Sequence, residues 1–442
     1  MQNIDTLIHA RWIIPVEPAD TVLEHHAIAC HDGKIIDILP SDQAEQQYQA
    51  GTVHKLSQHI LIPGLINTHT HAAMSLFRGL ADDLPLMDWL QNHIWPAEGR
   101  WVSPEFVHDG TQLAIAEMVR GGTTCFNDMY FCPDITARAV DSAGMRATVG
   151  MILIDFPTVW ANNADEYIHK GIEVHDHYRN NSLIHTAFAP HAPYTVSDAP
   201  LERVVTLAEE LDIPVHMHVH ETAFEVHQAE QQGQRPLQRL QTLGLVTPRL
   251  LAVHMTQLNE DDIALMAESG AHVVHCPESN LKLASGYCPV QKLLDAGVNV
   301  ALGTDGAASN NDLDMIGEMR TAALLAKTVA DDASALPAMQ ALQMATLNGA
   351  RALGLDDTIG SLKPGKAADM VALDMSDIAT QPLYHPISQL VYAATRQQVT
   401  DVWVAGKQLL RNRELTTIDT DAILDKAQQW AVKIQQADEH PD

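Results

Sequence analysis

From about residue 61 the chain repeats one unit: a short apolar run, a turn, a stretch with apolar positions at helical spacing, then the next apolar run. The runs that predict strands are Leu61–Thr68, Thr123–Asp128, Ala147–Ile154, Ile184–Ala189, Val215–Val219, Leu251–Met255, His272–His275 and Val298–Gly303. Several are continuously apolar, as strands buried on both faces must be. The segments between them have readable helix ends. Ser103-Pro104 reads as an N-cap followed by proline in the first turn, and Gly121-Gly122 stops that helix after Arg120. Ser197 is expected to cap a helix whose apolar face is Leu201, Val204, Val205 and Ala208, ending before Pro214. Eight strand–helix units predict an α/β fold, a closed (β/α)8 barrel with its site at the C-terminal ends of the strands.

The two ends of the chain carry a different pattern. Ala27–Ala29, Gly33–Ile38, Met370–Leu373 and Val402–Val404 read as strand pieces, with hairpin turns at Asp32-Gly33 and Ala405-Gly406. Neither end alone has enough strands to bury a face. Residues 1–60 and 365–442 are therefore expected to meet as one small composite β-sandwich domain, with the barrel spanning 61–364 and a turn-rich hinge at Gly360–Lys366. The polar stretch Gln435–Asp442 is expected to fray.

Composition narrows the function without choosing it. The 442 residues are 46% hydrophobic, enough for a large core without disulfides. With 27 basic against 56 acidic side chains the net charge is −29, which repels phosphate backbones and anionic lipid, so no nucleic-acid or membrane partner is expected. Five scattered cysteines, without a CxxC pair, suit a reducing compartment and exclude the cysteine-ligated deaminase signature. The first residues carry neither a basic start nor a long apolar run, so a cytoplasmic location is expected.

The chemistry lies where the apolar runs end. In His69-Thr70-His71 the two imidazoles are at i and i+2, on one side of a strand, and so converge. A third histidine comes from Val215-His216-Met217-His218-Val219-His220, where all three share strand parity and periodicity does not select one. Asp305 follows the last run, and His191, Glu221, His254 and Cys276 fall at the ends of others. Three imidazoles and one carboxylate leave a coordination position open for water on Zn²⁺, the arrangement of a catalytic site rather than a structural one. Each histidine alone would be an ordinary core residue; the set, spread over the ends of different strands, carries the metal reading.

Asn67–His71, His218–Thr222, Val253–Met255 and Gly303–Gly306 resemble the motifs of the amidohydrolase superfamily. Ser75–Leu84, Trp95–Glu98, Ser279–Gly286 and Leu362–Asp369 extend the resemblance to the 5-methylthioadenosine/S-adenosylhomocysteine deaminase family, over almost the whole chain. The resemblance implies His69, His71, His218 and Asp305 as ligands of one Zn²⁺ per subunit, with Fe²⁺ or Mn²⁺ as substitutes. A second metal is not expected, because Ile184–His191 lacks the lysine that binuclear relatives use there. It also implies hydrolytic removal of the 6-amino group of a 5′-substituted adenosine: 5′-methylthioadenosine, S-adenosylhomocysteine or adenosine. Glu221 would donate a proton to N1 of the ring, His254 would hold the attacking water, and a spare oxygen of Asp305 would accept its proton. Glu98 would take the ribose hydroxyls, Trp89 would cover the site, and His191 and Ser309 would meet the purine. Some members place an arginine before the fourth strand to hold the homocysteine carboxylate; residues 147–178 contain none, which favours the methylthio or unsubstituted nucleoside.

The partner expected is thus a small nucleoside, with a homo-oligomer by analogy. Two other hydrolases suit the same scaffold, guanine deaminase and a triazine-type hydrolase, neither of which needs Glu98 for a ribose. A non-catalytic barrel is the remaining reading, and it would not be expected to keep the full set of ligands and acid.

Overall fold

The computed structural model describes residues 1–439, with side chains through Gln436. The chain forms two compact units. One comprises Met1–Asn67, Met118–Cys125 and Asp314–Thr417; the other comprises Thr68–Glu117, Phe126–Leu313 and the segment from Ile418 on.

The chain ends do meet in one sheet. Its strands are β1 (Gln2–Ile13), β2 (Leu23–His31), β3 (Lys34–Pro40) and β4 (Tyr48–Pro63). Four strands from late in the chain complete it: Met370–Asp374, Val399–Val404, Lys407–Arg411 and Glu414–Leu415. β1 pairs antiparallel with β2 and parallel with β4, and β4 pairs antiparallel with Met370–Asp374, which joins the two ends. Alternation sorts the side chains: Ile8, Ala10, Ile28, Cys30, Met370 and Ala372 bury one face with Trp403, while Leu7, Ala27 and Ala29 bury the other with Ala44. Both expected hairpins are present. Asp32 and Gly33 have φ of 49° and 74°, and Ala405 and Gly406 have 46° and 75°, the left-handed pair that matches strand twist. β1 and β4, of 12 and 16 residues, were not legible as strands in the apolar pattern.

The barrel strands follow in chain order: β5 (Leu65–Thr70), β6 (Thr123–Tyr130), β7 (Arg146–Leu153), β8 (Ile184–Pro190), β9 (Val215–Val219), β10 (Leu250–His254), β11 (His272–His275) and β12 (Val300–Leu302). They hydrogen-bond in that order, with parallel register from β7 through β12. All eight fall on predicted runs, but the first run divides. Leu61–Thr68 is not one strand: β4 ends at Pro63, and β5 starts at Leu65. Gly64 makes the step because a Cβ there would lie 1.8 Å from Thr124 Oγ1.

Helix ends are mostly as expected. Ser103 Oγ accepts from the Phe106 N–H at 3.2 Å at the start of the helix Pro104–Arg120. Ser197 occupies the cap position of Asp198–Leu211 but its hydroxyl caps nothing; its own N–H donates to Asp155 Oδ2 at 2.8 Å. A last helix, Thr420–Glu439, covers the first part of the stretch expected to fray, and residues 440–442 lie outside the described residues. Among the described residues no helix is long and apolar enough to cross a membrane.

The barrel closes where β12 returns to β5. The Asp305 N–H donates to the His69 carbonyl at 3.0 Å, and a Cβ on Gly303 would sit 2.8 Å from His69 N. Only a residue without a side chain lets the two backbones approach so closely. Gly303→Ala is therefore expected to lower unfolding free energy by about 1–3 kcal/mol in urea denaturation, the usual cost of overpacking. Gly99→Ala, where nothing lies within 4 Å, serves as the control and should be neutral or mildly stabilising.

Candidate active site

His69 is the last residue but one of β5 and His71 follows that strand, His218 lies on β9, and Asp305 sits just past β12 with φ of 62°. The strands deliver four donor atoms to one point, all within 4.8 Å of one another. His69 Nε2 and His71 Nε2 each lie 3.2 Å from Asp305 Oδ1, and His218 Nε2 lies 3.3 Å from His69 Nε2. A tetrahedral ion with bonds of about 2.0–2.1 Å spaces its donors about 3.3–3.4 Å apart, so these separations suit one divalent cation. Of the three histidines in the β9 segment, the structure brings His218 to that point.

What aims the imidazoles is the partner on each opposite nitrogen. His71 Nδ1 donates to the Met129 carbonyl at 2.5 Å and His218 Nδ1 to the His191 carbonyl at 2.7 Å. A carbonyl only accepts, so both rings carry a hydrogen on Nδ1, which leaves Nε2 turned inward as the atom that can ligate an ion. His69 Nδ1 meets His216 Nε2 at 2.8 Å, which gives His216 a supporting place behind the cluster. His220 points elsewhere: its Nε2 accepts from the Leu237 N–H at 3.2 Å. Asp305 Oδ2, expected to be spare, accepts from Ser279 Oγ at 2.6 Å and Ser309 Oγ at 2.9 Å.

The electrostatics follow from burial and from these contacts. Burial works against the Asp305 anion, yet hydrogen bonds from His69 and His71 hold its carboxyl well below the usual range. His71 is opposed by burial but pushed up to about 9 by Asp305, whereas burial takes His69 down to about 4. Burial lowers His191 to about 3 and holds His218 well below the usual imidazole range.

Glu221 follows β9, buried, with Oε1 3.8 Å from His254 Nε2 at the end of β10. Burial raises its carboxyl; the His254 charge opposes this, and Asp305 adds to it. Glu225 clasps the turn that carries Glu221, accepting from the His220 and Glu221 N–H groups at 3.1 and 2.8 Å. On the other side, Asn280 Oδ1 accepts from His254 Nδ1 at 2.9 Å.

All of this opens into one cavity of about 280 Å³. Glu98, Trp89, His191 and Ser309 line it, together with Glu221, His254 and the ligand candidates His71, His218 and Asp305. Ser309 also bonds to Asp305, a contact not foreseen for it. Trp89 is buried and fixed by its indole N–H, which donates to the Ala81 carbonyl at 3.1 Å. Glu98 is half-buried; its surroundings in the pocket raise its carboxyl to about 7, against the opposing Tyr130 hydroxyl and His71. The rest of the wall is largely apolar, including Leu86, Leu90, Phe156 and Val159, and it contains neither lysine nor arginine.

Sequence reasoning assigned nothing to Tyr130, His216, Glu225, Ser279 or Asn280. Tyr130 had a usable signal, since it ends barrel strand β6. Thr222-x-x-Glu225 reads as a capping box, and Thr222 does accept from the Glu225 N–H at 3.3 Å, but the Glu225 carboxylate serves residues 220 and 221 instead.

Comparison with known proteins places this arrangement. Residues 60–409 match the amidohydrolase family. A protein of Saccharophagus degradans named 5-methylthioadenosine/S-adenosylhomocysteine deaminase is 55% identical over 432 residues, covering 98% of this chain and 97% of its own length. The crystal structure of an adenosine deaminase from Xanthomonas campestris with bound zinc is 57% identical, with a TM-score of 0.97 over 98% of this chain and 99% of its own. Atrazine chlorohydrolase from Arthrobacter aurescens, complexed with zinc, has a TM-score of 0.90 over 96% of this chain and 99% of its own, but at 21% identity that likeness is one of fold alone. The chain belongs to the amidohydrolase family, and within it to the 5-methylthioadenosine/S-adenosylhomocysteine deaminases.

Proposed function

We propose that this protein is a metal-dependent aminohydrolase that converts 5′-substituted adenosines, 5′-methylthioadenosine foremost, to the inosine analogue and ammonia. The observation that carries this reading is a three-histidine, one-aspartate donor set at the base of one cavity whose wall also holds a buried glutamic acid, Glu221, and a second glutamate, Glu98. His69, His71, His218 and Asp305 would hold the ion, Zn²⁺ by donor chemistry and by the zinc in the Xanthomonas relative. When bound, the ion supplies Lewis acidity that lowers the pKa of a water toward neutrality.

The side chains divide the remaining work. Glu221, its carboxyl raised by burial, is the acid placed to donate a proton to N1 of the purine as water adds at C6. His254, its Nδ1 committed to Asn280, turns Nε2 toward the attacking water. Asp305 takes the proton released by that water, which is then returned to the departing amine. His191 faces the base from β8. Glu98 accepts the ribose hydroxyls, and Trp89 shuts one wall against solvent. The apolar wall at Leu86, Leu90, Phe156 and Val159 suits a methylthio group. A homocysteine carboxylate carried on the 5′ position would find neither lysine nor arginine among the described residues of the wall, so the adduct is the poorer substrate.

Metal-loaded protein assayed by loss of adenine absorbance should turn over 5′-methylthioadenosine with kcat/KM at least about tenfold above S-adenosylhomocysteine, since a carboxylate held in an apolar pocket without a partner is disfavoured. Faster turnover of guanine or a triazine would sink the reading. Glu221→Gln should lower kcat by about 10²–10⁴-fold, the usual contribution of a positioned acid, with bound metal unchanged by atomic emission. Glu98 accepts from both ribose hydroxyls most strongly as the anion, and its carboxyl is raised to about 7. KM for nucleosides should therefore fall as pH rises through about 7, and Glu98→Gln should raise KM and flatten that dependence.

A further inference from the structure

The two side chains assigned to the attacking water, His254 and Asp305, come from different strands but are held by neighbours in the chain. Ser279 Oγ donates to Asp305 Oδ2 at 2.6 Å, and Asn280 Oδ1 accepts from His254 Nδ1 at 2.9 Å. Both lie on the short helix Pro277–Lys282 after β11, a strand that supplies no ligand and no acid, and both are buried. We propose that Ser279 and Asn280 form a positioning pair that sets His254 and Asp305 relative to each other through one turn of backbone. The proposal rests on the roles given to His254 and Asp305 above.

Three observations support it. His254 and Asp305 have φ of 75° and 62°, left-handed conformations that side-chain-bearing residues hold only when their surroundings over-determine them. The pair supplies that constraint at both residues. Its own backbone is fixed: the Asn280 N–H donates to the Cys276 carbonyl at 3.0 Å, and the Leu283 N–H donates to the Ser279 carbonyl at 3.0 Å. Finally, Asn280 Nδ2 is buried without a hydrogen-bond partner among the described residues. An unpaired buried amide costs stability, so a residue kept for packing alone would be better apolar. Its carbonyl is the part in use. Because a carbonyl accepts and never donates, it keeps the hydrogen of His254 on Nδ1 and leaves Nε2 for the reacting side.

The test uses the full chain loaded with Zn²⁺ and assayed with 5′-methylthioadenosine. Asn280→Leu, which has the amide's shape without its acceptor, should lower kcat by about 10²-fold, the scale of a small misplacement at a reacting centre. KM, bound metal and melting temperature should stay near wild type. Asn280→Asp retains the acceptor and should recover to within about tenfold of wild type, a rescue that a merely structural role would not produce. Ser279→Ala should release metal to a chelator about 10–100-fold faster, the usual effect of removing a partner of a ligand, and this is read independently of any turnover. Wild-type protein that deaminates no adenosine would count against the proposed reaction, while metal release from Ser279→Ala would still judge the pair. Unchanged release there, near-normal kcat in Asn280→Leu, or an Asn280→Asp variant as slow as Asn280→Leu would each overturn the pair.

Discussion

The geometry of the site depends on acceptors placed behind the histidines. Met129 and His191 offer carbonyls to the Nδ1 atoms of His71 and His218, and His216 meets that of His69. The two carbonyls keep a hydrogen on Nδ1 of His71 and His218 and turn each Nε2 toward the cluster, so convergence is decided outside the cluster itself. Two of the three acceptors are backbone atoms or a residue at the end of β6 or β8, positions that the barrel sets before any ion is present. A buried carboxylate is otherwise expensive, and here the hydrogen bonds from His69 and His71 offset its desolvation.

The same barrel mouth drives its acids in opposite directions. Asp305, touching two imidazoles, is held far down, while Glu221, with burial as its largest influence, is raised. Two carboxyls in one cavity thus stand ready for opposite tasks, one as anion and one as proton donor. Burial acts alike on the supporting acids: Asp128 is raised to about 6 and Glu225 to about 8. Asp128 uses its oxygens on the Ala72 N–H at 2.8 Å and the Thr136 hydroxyl at 3.3 Å, which ties the segment after His71 to the end of β6. The acids around the site are therefore structural fasteners as much as charges. The net charge of −29 belongs mainly to the surface and says little about the cavity.

Which parts of this were legible follows from the range of the interactions involved. The barrel strands could be read because burial on both faces writes continuous apolar runs, and the His69–His71 pair because strand geometry alone makes i and i+2 converge. β1 and β4 were missed because long strands with polar and histidine positions on exposed stretches lose that signal. The Gly64 break was hidden by the apolar residues on both sides of it, since only the approach of Thr124 requires a glycine there. His218 could not be separated from His216 and His220 by parity; what separates them is what each ring touches. Ser279, Asn280 and Glu225 act across elements, on His254, Asp305 and the Glu221 turn, and no local pattern encodes such contacts.

Left-handed backbone recurs where the strands deliver their functional groups. His220, His254, Met255 and Asp305 have φ of 53°, 75°, 50° and 62°, and all four lie at or just beyond the ends of β9, β10 and β12. A regular strand would carry successive side chains alternately into and out of the barrel; the turn in handedness lets a residue at its end aim across the mouth instead. Such backbone relaxes unless held, and each of these turns is held by side chains. Glu225 grips residues 220 and 221, Thr256 Oγ1 donates to the Glu221 carbonyl at 2.7 Å, and Ser279 and Asn280 hold the side chains of Asp305 and His254. The barrel therefore supplies stability while these clasps supply aim. Loosening a clasp removes few apolar contacts, so its effect belongs in the rate of reaction more than in the free energy of unfolding.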